Sequence, residues 1–406
     1  MLFRSISRTL SVAGSKVTLI QNITDVGHMS EDFQEADKIL TQAEIERIDP
    51  LEIARKHEVS FHKDLARLNI GKATAYPRAS ESIELMQSLI TQLLNKKCAY
   101  VGSDGSVYFD AHSYPSYGAL SGNRLDSLQP GHHYEYTEGG AKRFHADWAL
   151  WKSAGNRSQM VWPSPWGVGF PGWHIECSAM SLALLNNHVD VHVGGIDLRF
   201  PHHENERAQS NAIIGTETVD IWVHGEHLLF EGRKMSKSSG NVVLLQDVLD
   251  RGFDPLALRL CLLENRYRSQ MDLTWAAIAG AAQTLKRWRG KLDSWGNTSE
   301  IEVDTELESA FNNDLDTPKA LIRLRAIEKS DLLNKREIFL YADQILGLKL
   351  AARIELKELT PQMQKLLQDR TQARVEKRWS DSDELRGRLE KLGLVIKDTP
   401  EGQSWS

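Results

Sequence analysis

Leu2, Ile6 and Leu10 recur at four-residue spacing and Gly14 follows, a pattern that predicts a short helix stopped by glycine. The run Val-Thr-Leu-Ile-Gln-Asn-Ile at 17–23 is rich in β-branched residues and predicts a short buried strand. It runs out into Asn22, Thr24 and Asp25, polar groups at a strand's carboxyl end, where ligands bind in α/β sheets. From 32 to 94 the pattern is mostly helical, with breaks near Gly71 and Pro77.

The texture changes at about residue 96. Tyr100-Val101 and Val107-Tyr108-Phe109 read as strands separated by a Gly-Ser-Asp-Gly turn, and Gly, Ser, Pro and Tyr become frequent. Helix and parallel strand then return: a helix over 175–185, a strand over 189–193 and a helix opened by Pro201, whose missing N–H costs nothing at a helix start. After Gly240 the pattern is almost wholly helical, with a polar break at 295–304. Residues 363–379 are amphipathic and basic, Asp381 or Ser382 can cap a further helix stopped by Gly393, and Leu394-Val395-Ile396 predicts a small strand.

Composition narrows the class. The chain has 406 residues, 41% hydrophobic and 26% charged, which fits a soluble protein of two or three domains. No run of eighteen apolar residues is present, so nothing predicts a membrane span. A net charge of −6 argues against a protein that coats nucleic acid non-specifically, though not against a local basic surface. Cys98, Cys177 and Cys261 are odd in number and far apart, which argues against a disulfide framework and fits the cytoplasm. Arg4, Arg8 and Lys16 among serines have the look of a mitochondrial transit peptide, but the leucine spacing and the strand that follows favour a core helix.

Three constellations could carry chemistry. Lys234-Met235-Ser236-Lys237-Ser238, followed by Ser239-Gly240-Asn241, puts two lysines and several hydroxyls on a short loop, suited to phosphoryl oxygens that develop charge. His202 and Glu206 share one helix face, and with Cys177 they supply three ordinary zinc ligands. Alternation along 189–193 puts Asp190 and His192 on one face of a strand, and Gly194-Gly195 beyond it lets a ligand approach the backbone.

The lysine-rich five-residue string is the second signature of class I aminoacyl-tRNA synthetases. Gly172-Trp173-His174-Ile175-Glu176-Cys177-Ser178-Ala179-Met180 and Phe200-Pro201-His202-His203-Glu204-Asn205-Glu206 resemble motifs of the cysteinyl-tRNA synthetases. The resemblance runs from about residue 17 to the end and takes in Gln21-Asn22-Ile23-Thr24-Asp25, Trp162-Pro163-Ser164-Pro165-Trp166 and Tyr267-Arg268-Ser269. It implies an α/β fold, a Rossmann-like doubly wound parallel sheet with an inserted subdomain and an α-helical C-terminal anticodon-binding region. The implied divisions are 1–95 and 169–240 for the catalytic domain, 96–168 for the insert, 241–295 for a helical stem-contact region and 305–406 for the anticodon region.

The resemblance also implies a chemistry. ATP and L-cysteine would give cysteinyl-adenylate, and the cysteinyl group would pass to tRNA(Cys). Cys177, His202 and Glu206 would hold one Zn2+ that binds the substrate thiol, a soft ligand that zinc prefers to serine's hydroxyl. Thr24, Trp173 and Asp197 would hold the amino acid, His192, Gly194, Gly195 and Lys237 the nucleotide, and Lys234 and Lys237 would act in catalysis. A cytoplasmic monomer is the family's expectation. Arg370 and Arg374 share a helix face near Lys377, a stripe that could contact phosphate or simply be solvated.

The pattern departs from the family in one place. No cysteine precedes Cys98 and no His-x-Gly-His occurs in the chain. The family's first zinc-ligating cysteine and its ATP-gripping helix are therefore expected to belong to an upstream segment, the chain being an N-terminally truncated form or a fragment. Two rivals stay open: the ligase that joins cysteine to an amino-sugar inositol in mycothiol synthesis, and a catalytically impaired tRNA-binding paralogue.

Overall fold

The computed structural model describes residues 2–27, 37–128, 140–235, 241–296, 303–352, 360–392, 394, 396–399 and 402–405. The chain forms two compact units, one of residues 1–285 with 295–350 and one of 286–294 with 351–406. Among the described residues no helix is long and apolar enough to cross a membrane.

The first unit opens with α1 (Leu2–Val12), the helix that the leucine spacing predicts, and Gly14 beyond it has φ of +90°. Arg4 is buried, and its guanidinium donates to Gln21 Oε1 and Tyr76 Oη. The 17–23 run, expected as a short buried strand, is partly exposed and, among the described residues, pairs only through isolated parallel bridges, Ile20 to Ala75 and Ile23 to Arg78. The ladder is carried by Ile23 N–H to Pro77 O (2.8 Å) and Thr74 N–H to Leu19 O (2.8 Å), and Pro77, which has no N–H, limits it. Helices α2 (Lys38–Glu46), α3 (Pro50–Arg67) and α4 (Ile83–Asn95) follow, with Asp37 and Asp49 capping the first two. Buried Asp25 accepts from Ser80 N–H and Oγ–H and from Arg55, which ties the end of the extended run to the start of α4.

The insert is a four-stranded antiparallel sheet of β1 (Ala99–Val101), β2 (Val107–Phe109), β3 (Trp148–Ser153) and β4 (Gly169–Pro171), in that spatial order. Phe109 stacks on Trp148, and both join a core with Ile90 and Leu93 of α4 and Ile175 and Ala179 of α5 (Trp173–Leu184). Between the sheet and α5, Gly172 has no room for a side chain, since a Cβ there would meet Ala149 O at 1.9 Å. That close approach lets the chain turn from β4 straight into the helix.

Beyond α5, β5 (Val189–Gly195) pairs in parallel with β6 (Val219–Gly225), and α6 (His202–Ile214) lies between them in sequence. Pro201 occupies the N-cap of α6 rather than its first helical position. Among the described residues β5 pairs with β6 alone, so the expected parallel sheet is interrupted. An open cleft of about 550 Å³ is lined by residues 15–22, by Phe3, Ile6 and Leu10 of α1, by Cys177 and Met180 of α5, and by residues 188–193. A hairpin of β7 (Leu228–Phe230) and β8 (Arg233–Lys234) follows, and β9 (Met271–Leu273) pairs in parallel with β7. Only β9 of this small mixed sheet lies beyond Gly240, where the pattern was expected to be almost wholly helical, and strands of two or three residues leave no period to read.

Among the described residues, helices α7 (Leu245–Asp250), α8 (Pro255–Leu263), α9 (Trp275–Ser294), α10 (Thr305–Asn312), α11 (Thr317–Lys329) and α12 (Lys335–Leu346) follow before residue 350, with β9 between α8 and α9. Fully buried Arg259 of α8 donates to Leu346 O at the carboxyl end of α12 (2.6 Å) and to Leu68 O (3.0 Å), a cation at a helix carboxyl terminus.

The second unit holds α13 (Pro361–Val375), α14 (Trp379–Lys391) and a hairpin of β10 (Ile396–Thr399) and β11 (Gly402–Trp405) around Leu366, Leu367, Leu389 and Ile396. Helix α14 starts at Trp379, ahead of the predicted caps, and Ser382 is buried inside it. Arg370 is buried as well and donates to both carboxylate oxygens of Asp398 (3.0 Å each) and to Gln403 Oε1 (2.8 Å). It therefore braces the hairpin and is not part of an exposed phosphate-contacting stripe. Gly393, expected to stop the helix, lies outside the described residues.

Candidate functional site

Residues from α5, α6, β5 and β6 meet near the carboxyl ends of the two parallel strands. Cys177 Sγ, His202 and Glu206 offer one ligand atom each within 4.8 Å of one another. His202 Nε2 lies 2.9 Å from Glu206 Oε1, and His202 Nδ1 lies 2.8 Å from His174 Nδ1. His192 projects from β5 with its Nε2 3.6 Å from Glu206 Oε2, on the other side of that carboxylate. A second set, His192, His203 and Glu206, also has its ligand atoms within 4.8 Å of one another and shares Glu206.

The site is walled by rings. Trp173, at the start of α5, lies against His202 with centroids 4.3 Å apart. Trp222 of β6 packs on His192 (4.7 Å) and His203 (5.1 Å), and His203 Nδ1 contacts His224 Nε2 at 2.9 Å. Gly194 must be glycine here, because a Cβ would meet the His203 ring at 2.5 Å. Asn22 connects the extended run to the cluster: its amide donates to Thr24 Oγ1 (3.2 Å) and to Cys177 Sγ (3.5 Å).

Burial and mutual charge set the protonation of this cluster. Burial works against the Glu206 carboxylate, but His192 and His202 more than offset it and hold its pKa at about 2. Burial drives the His203 imidazole down to about 3 and lowers His192. Burial first, then Glu206 and Glu176, push the Cys177 thiol well above its ordinary value. A thiol facing an ionised carboxylate needs a cation nearby before it ionises readily, and a metal ion supplies one.

The structure thus brings together Cys177, His202, Glu206, His192 and Trp173. Thr24 is exposed and reaches the group through Asn22, and Gly194 abuts His203. Gly195 ends β5, and Asp197 is exposed on the following turn. Lys234 is exposed on β8, and Lys237 lies outside the described residues. Sequence reasoning passed over His174, His203, Trp222 and His224, although His174 and His203 stand inside the two motifs quoted and His224 follows Trp222 at strand spacing.

Comparison with known proteins places the chain in a family. Residues 1–283 match the family described as tRNA synthetases class I (C) catalytic domain. Residues 356–405 match the cysteinyl-tRNA ligase anticodon binding domain. A cysteine–tRNA ligase of Thermus thermophilus is 41% identical over the whole of this chain and 90% of its own length. The chain belongs to the class I cysteine–tRNA ligase family. A second relative, the cysteine–tRNA ligase of Deinococcus radiodurans, is 38% identical over 99% of this chain and 87% of its own length. Mycobacterium tuberculosis methionyl-tRNA synthetase in complex with methionyl-adenylate superposes with a TM-score of 0.55 at 14% identity, covering 85% of this chain and 84% of its own. That likeness establishes the class I synthetase fold for a cysteine family member.

Proposed function

We propose that this chain is a cysteine–tRNA ligase that activates L-cysteine with ATP and transfers the cysteinyl group to tRNA(Cys). The observation that carries the reading is the Cys177–His202–Glu206 set, its histidine and carboxylate buried and its thiol half-buried, at the carboxyl ends of parallel strands, in a member of this family. A thiolate, an imidazole and a carboxylate are a donor set that suits zinc. Bound there, zinc supplies a thiophilic Lewis acid that takes cysteine's sulfur in preference to serine's oxygen.

The side chains around that set have separable tasks. The Trp173 ring against His202 gives one apolar wall to the amino acid's side. Asn22 and Thr24 offer an amide and a hydroxyl for its α-amino and carboxylate groups, and Asp197 offers a carboxylate for the amine. Lys234 and Lys237 place positive charge beside the nucleotide's phosphates, with the backbone at Gly194 and Gly195 and the ring of His192 toward the nucleotide. In the first step a carboxylate oxygen of cysteine attacks the α-phosphorus and pyrophosphate leaves. In the second, a hydroxyl of the tRNA's terminal ribose attacks the carbonyl carbon and AMP leaves.

We place tRNA recognition partly in the second unit, where Trp379 is 56% exposed and the Arg374 guanidinium lies 5.7 Å from its ring centroid. An exposed indole with a cation beside it is a stacking platform for an unpaired base. The anticodon-binding match at 356–405 favours a tRNA acceptor over an amino-sugar inositol. The setting is a cytoplasmic monomer, which light scattering checks against the 45.9 kDa chain mass. Charging of a tRNA(Cys) transcript with labelled cysteine tests the whole reading. Cysteinyl-tRNA formed in proportion to enzyme and ATP supports it, whereas label joined only to a small amino-sugar acceptor sinks it.

A further inference from the structure

We propose that His174 is a positioning residue that fixes the tautomer of His202 so that Nε2 presents its lone pair to the bound metal ion; the inference rests on the zinc reading above. The two imidazoles are 2% and 4% exposed and meet Nδ1 to Nδ1 at 2.8 Å. Such a contact holds one proton between two nitrogens, so one ring donates and the other accepts. On its other side His202 Nε2 faces Glu206 Oε1 at 2.9 Å. Left to itself, that carboxylate draws the ring proton to Nε2, where it blocks ligation. An acceptor at Nδ1 favours the opposite tautomer, with the proton on Nδ1 and the lone pair on Nε2. His174 Nδ1 is that acceptor, and its own proton then sits on Nε2.

Metal-ligating histidines usually give their second N–H to a carboxylate or a carbonyl. Here the partner is another imidazole, and the structure holds it from behind. Gln209 Nε2 of α6 donates to His174 O (3.0 Å) and to Ser178 Oγ (2.8 Å), while Trp148 Nε1–H donates to Gln209 Oε1 (3.4 Å). The α5 turn that carries His174 is thus pinned to the same helix that carries His202 and Glu206. Proximity alone would not need this arrangement, because an apolar ring could fill the space beside His202 equally well.

The test is zinc affinity, measured by competition with a chromogenic chelator on the full chain, for wild type, His174→Phe and His174→Asn. Phenylalanine keeps the ring and removes the acceptor, whereas the Asn carbonyl oxygen sits close to where Nδ1 was. The expected result is a loss of about 10–100-fold in zinc affinity for His174→Phe, with most of it recovered in His174→Asn. Chemical unfolding of the zinc-free proteins shows that each variant is folded, and His174→Leu replaces His174→Phe if the latter is not. Folded His174→Phe (or His174→Leu) that binds zinc as tightly as wild type overturns the inference, as does His174→Asn that binds as weakly as His174→Phe. Wild-type protein that binds no zinc overturns the metal reading itself, and the inference with it.

Discussion

Gly194→Ala adds a single methyl group, and the structure says where it must go. A Cβ on Gly194 would lie 2.5 Å from His203 Cε1, 2.7 Å from His203 Nε2 and 3.1 Å from Leu198 Cδ1. His203 cannot swing aside freely, since it is 2% exposed and packed among Trp222, His192 and His224. Overpacking of a filled interior costs about 1–3 kcal/mol. Gly225 gives a matched control. It ends the neighbouring strand, pairs with Gly195, and a Cβ there meets nothing closer than 3.6 Å. Its replacement by alanine is expected to be neutral or to stabilise by about 0.4–1 kcal/mol through the unfolded chain. Urea unfolding of both variants, with the denaturant slope held as a check on the transition, measures the difference. Equal stabilities for Gly194→Ala and Gly225→Ala would refute the reasoning that His203 is what excludes a side chain at 194. A displaced His203 also crowds Glu206, so Gly194→Ala should lower zinc affinity where Gly225→Ala does not.

Further expectations follow from the same geometry. His203 has a pKa of about 3 in the folded chain against an ordinary 6.5, so between these values the unfolded state binds more protons. Stability of the metal-free protein is therefore fully present above about pH 6.5 and falls as pH drops toward 3, a limit on the order of 5 kcal/mol; His203→Gln should flatten that slope in unfolding curves taken across the range, and an unchanged slope counts against it. In the second unit, Arg370→Met should cost on the order of 2–3 kcal/mol in unfolding, since it strands Asp398 and Gln403. Trp379→Ala should leave stability within about 0.5 kcal/mol and weaken binding of tRNA(Cys) by about 1–3 kcal/mol, read by filter binding at one fixed salt concentration. A destabilised Trp379→Ala with unaltered binding would put that ring in the core instead.

Much of the fold was legible where side-chain period and burial coincide. The spacing of Leu2, Ile6 and Leu10 predicted α1 as a helix but not its buried face, since Leu10 is exposed and Arg4 and Ser5 are the buried residues, and the apolar run around Ile175 predicted α5 to within two residues at its start. Strand β6 escaped because its alternation is confounded: Ile221 is 55% exposed, so an apolar residue marks the solvent face. Strands β7 to β9 are too short to carry a period. The C-terminal hairpin pairs polar residues such as Asp398 and Gln403, whose value lies in a buried arginine more than twenty residues earlier, a relation that no local pattern holds. At the site, helical spacing united His202 with Glu206, whereas Cys177 was grouped with them by ligand type and by the family resemblance, not by spacing. The contacts of Asn22 and His174 with that set depend on α5 meeting α6 and the extended run in space.

The central claim is that the site selects cysteine by its sulfur, and cysteine-dependent exchange of pyrophosphate into ATP tests it most directly. The exchange is to be measured on the full chain loaded with zinc, with serine as the competing substrate and Cys177→Ala as the ligand variant. The account predicts exchange that requires cysteine, ignores serine and collapses in Cys177→Ala together with zinc retention. Exchange that proceeds equally with serine, or that survives the loss of Cys177, contradicts it, as does folded, zinc-loaded wild-type protein that makes no adenylate at all.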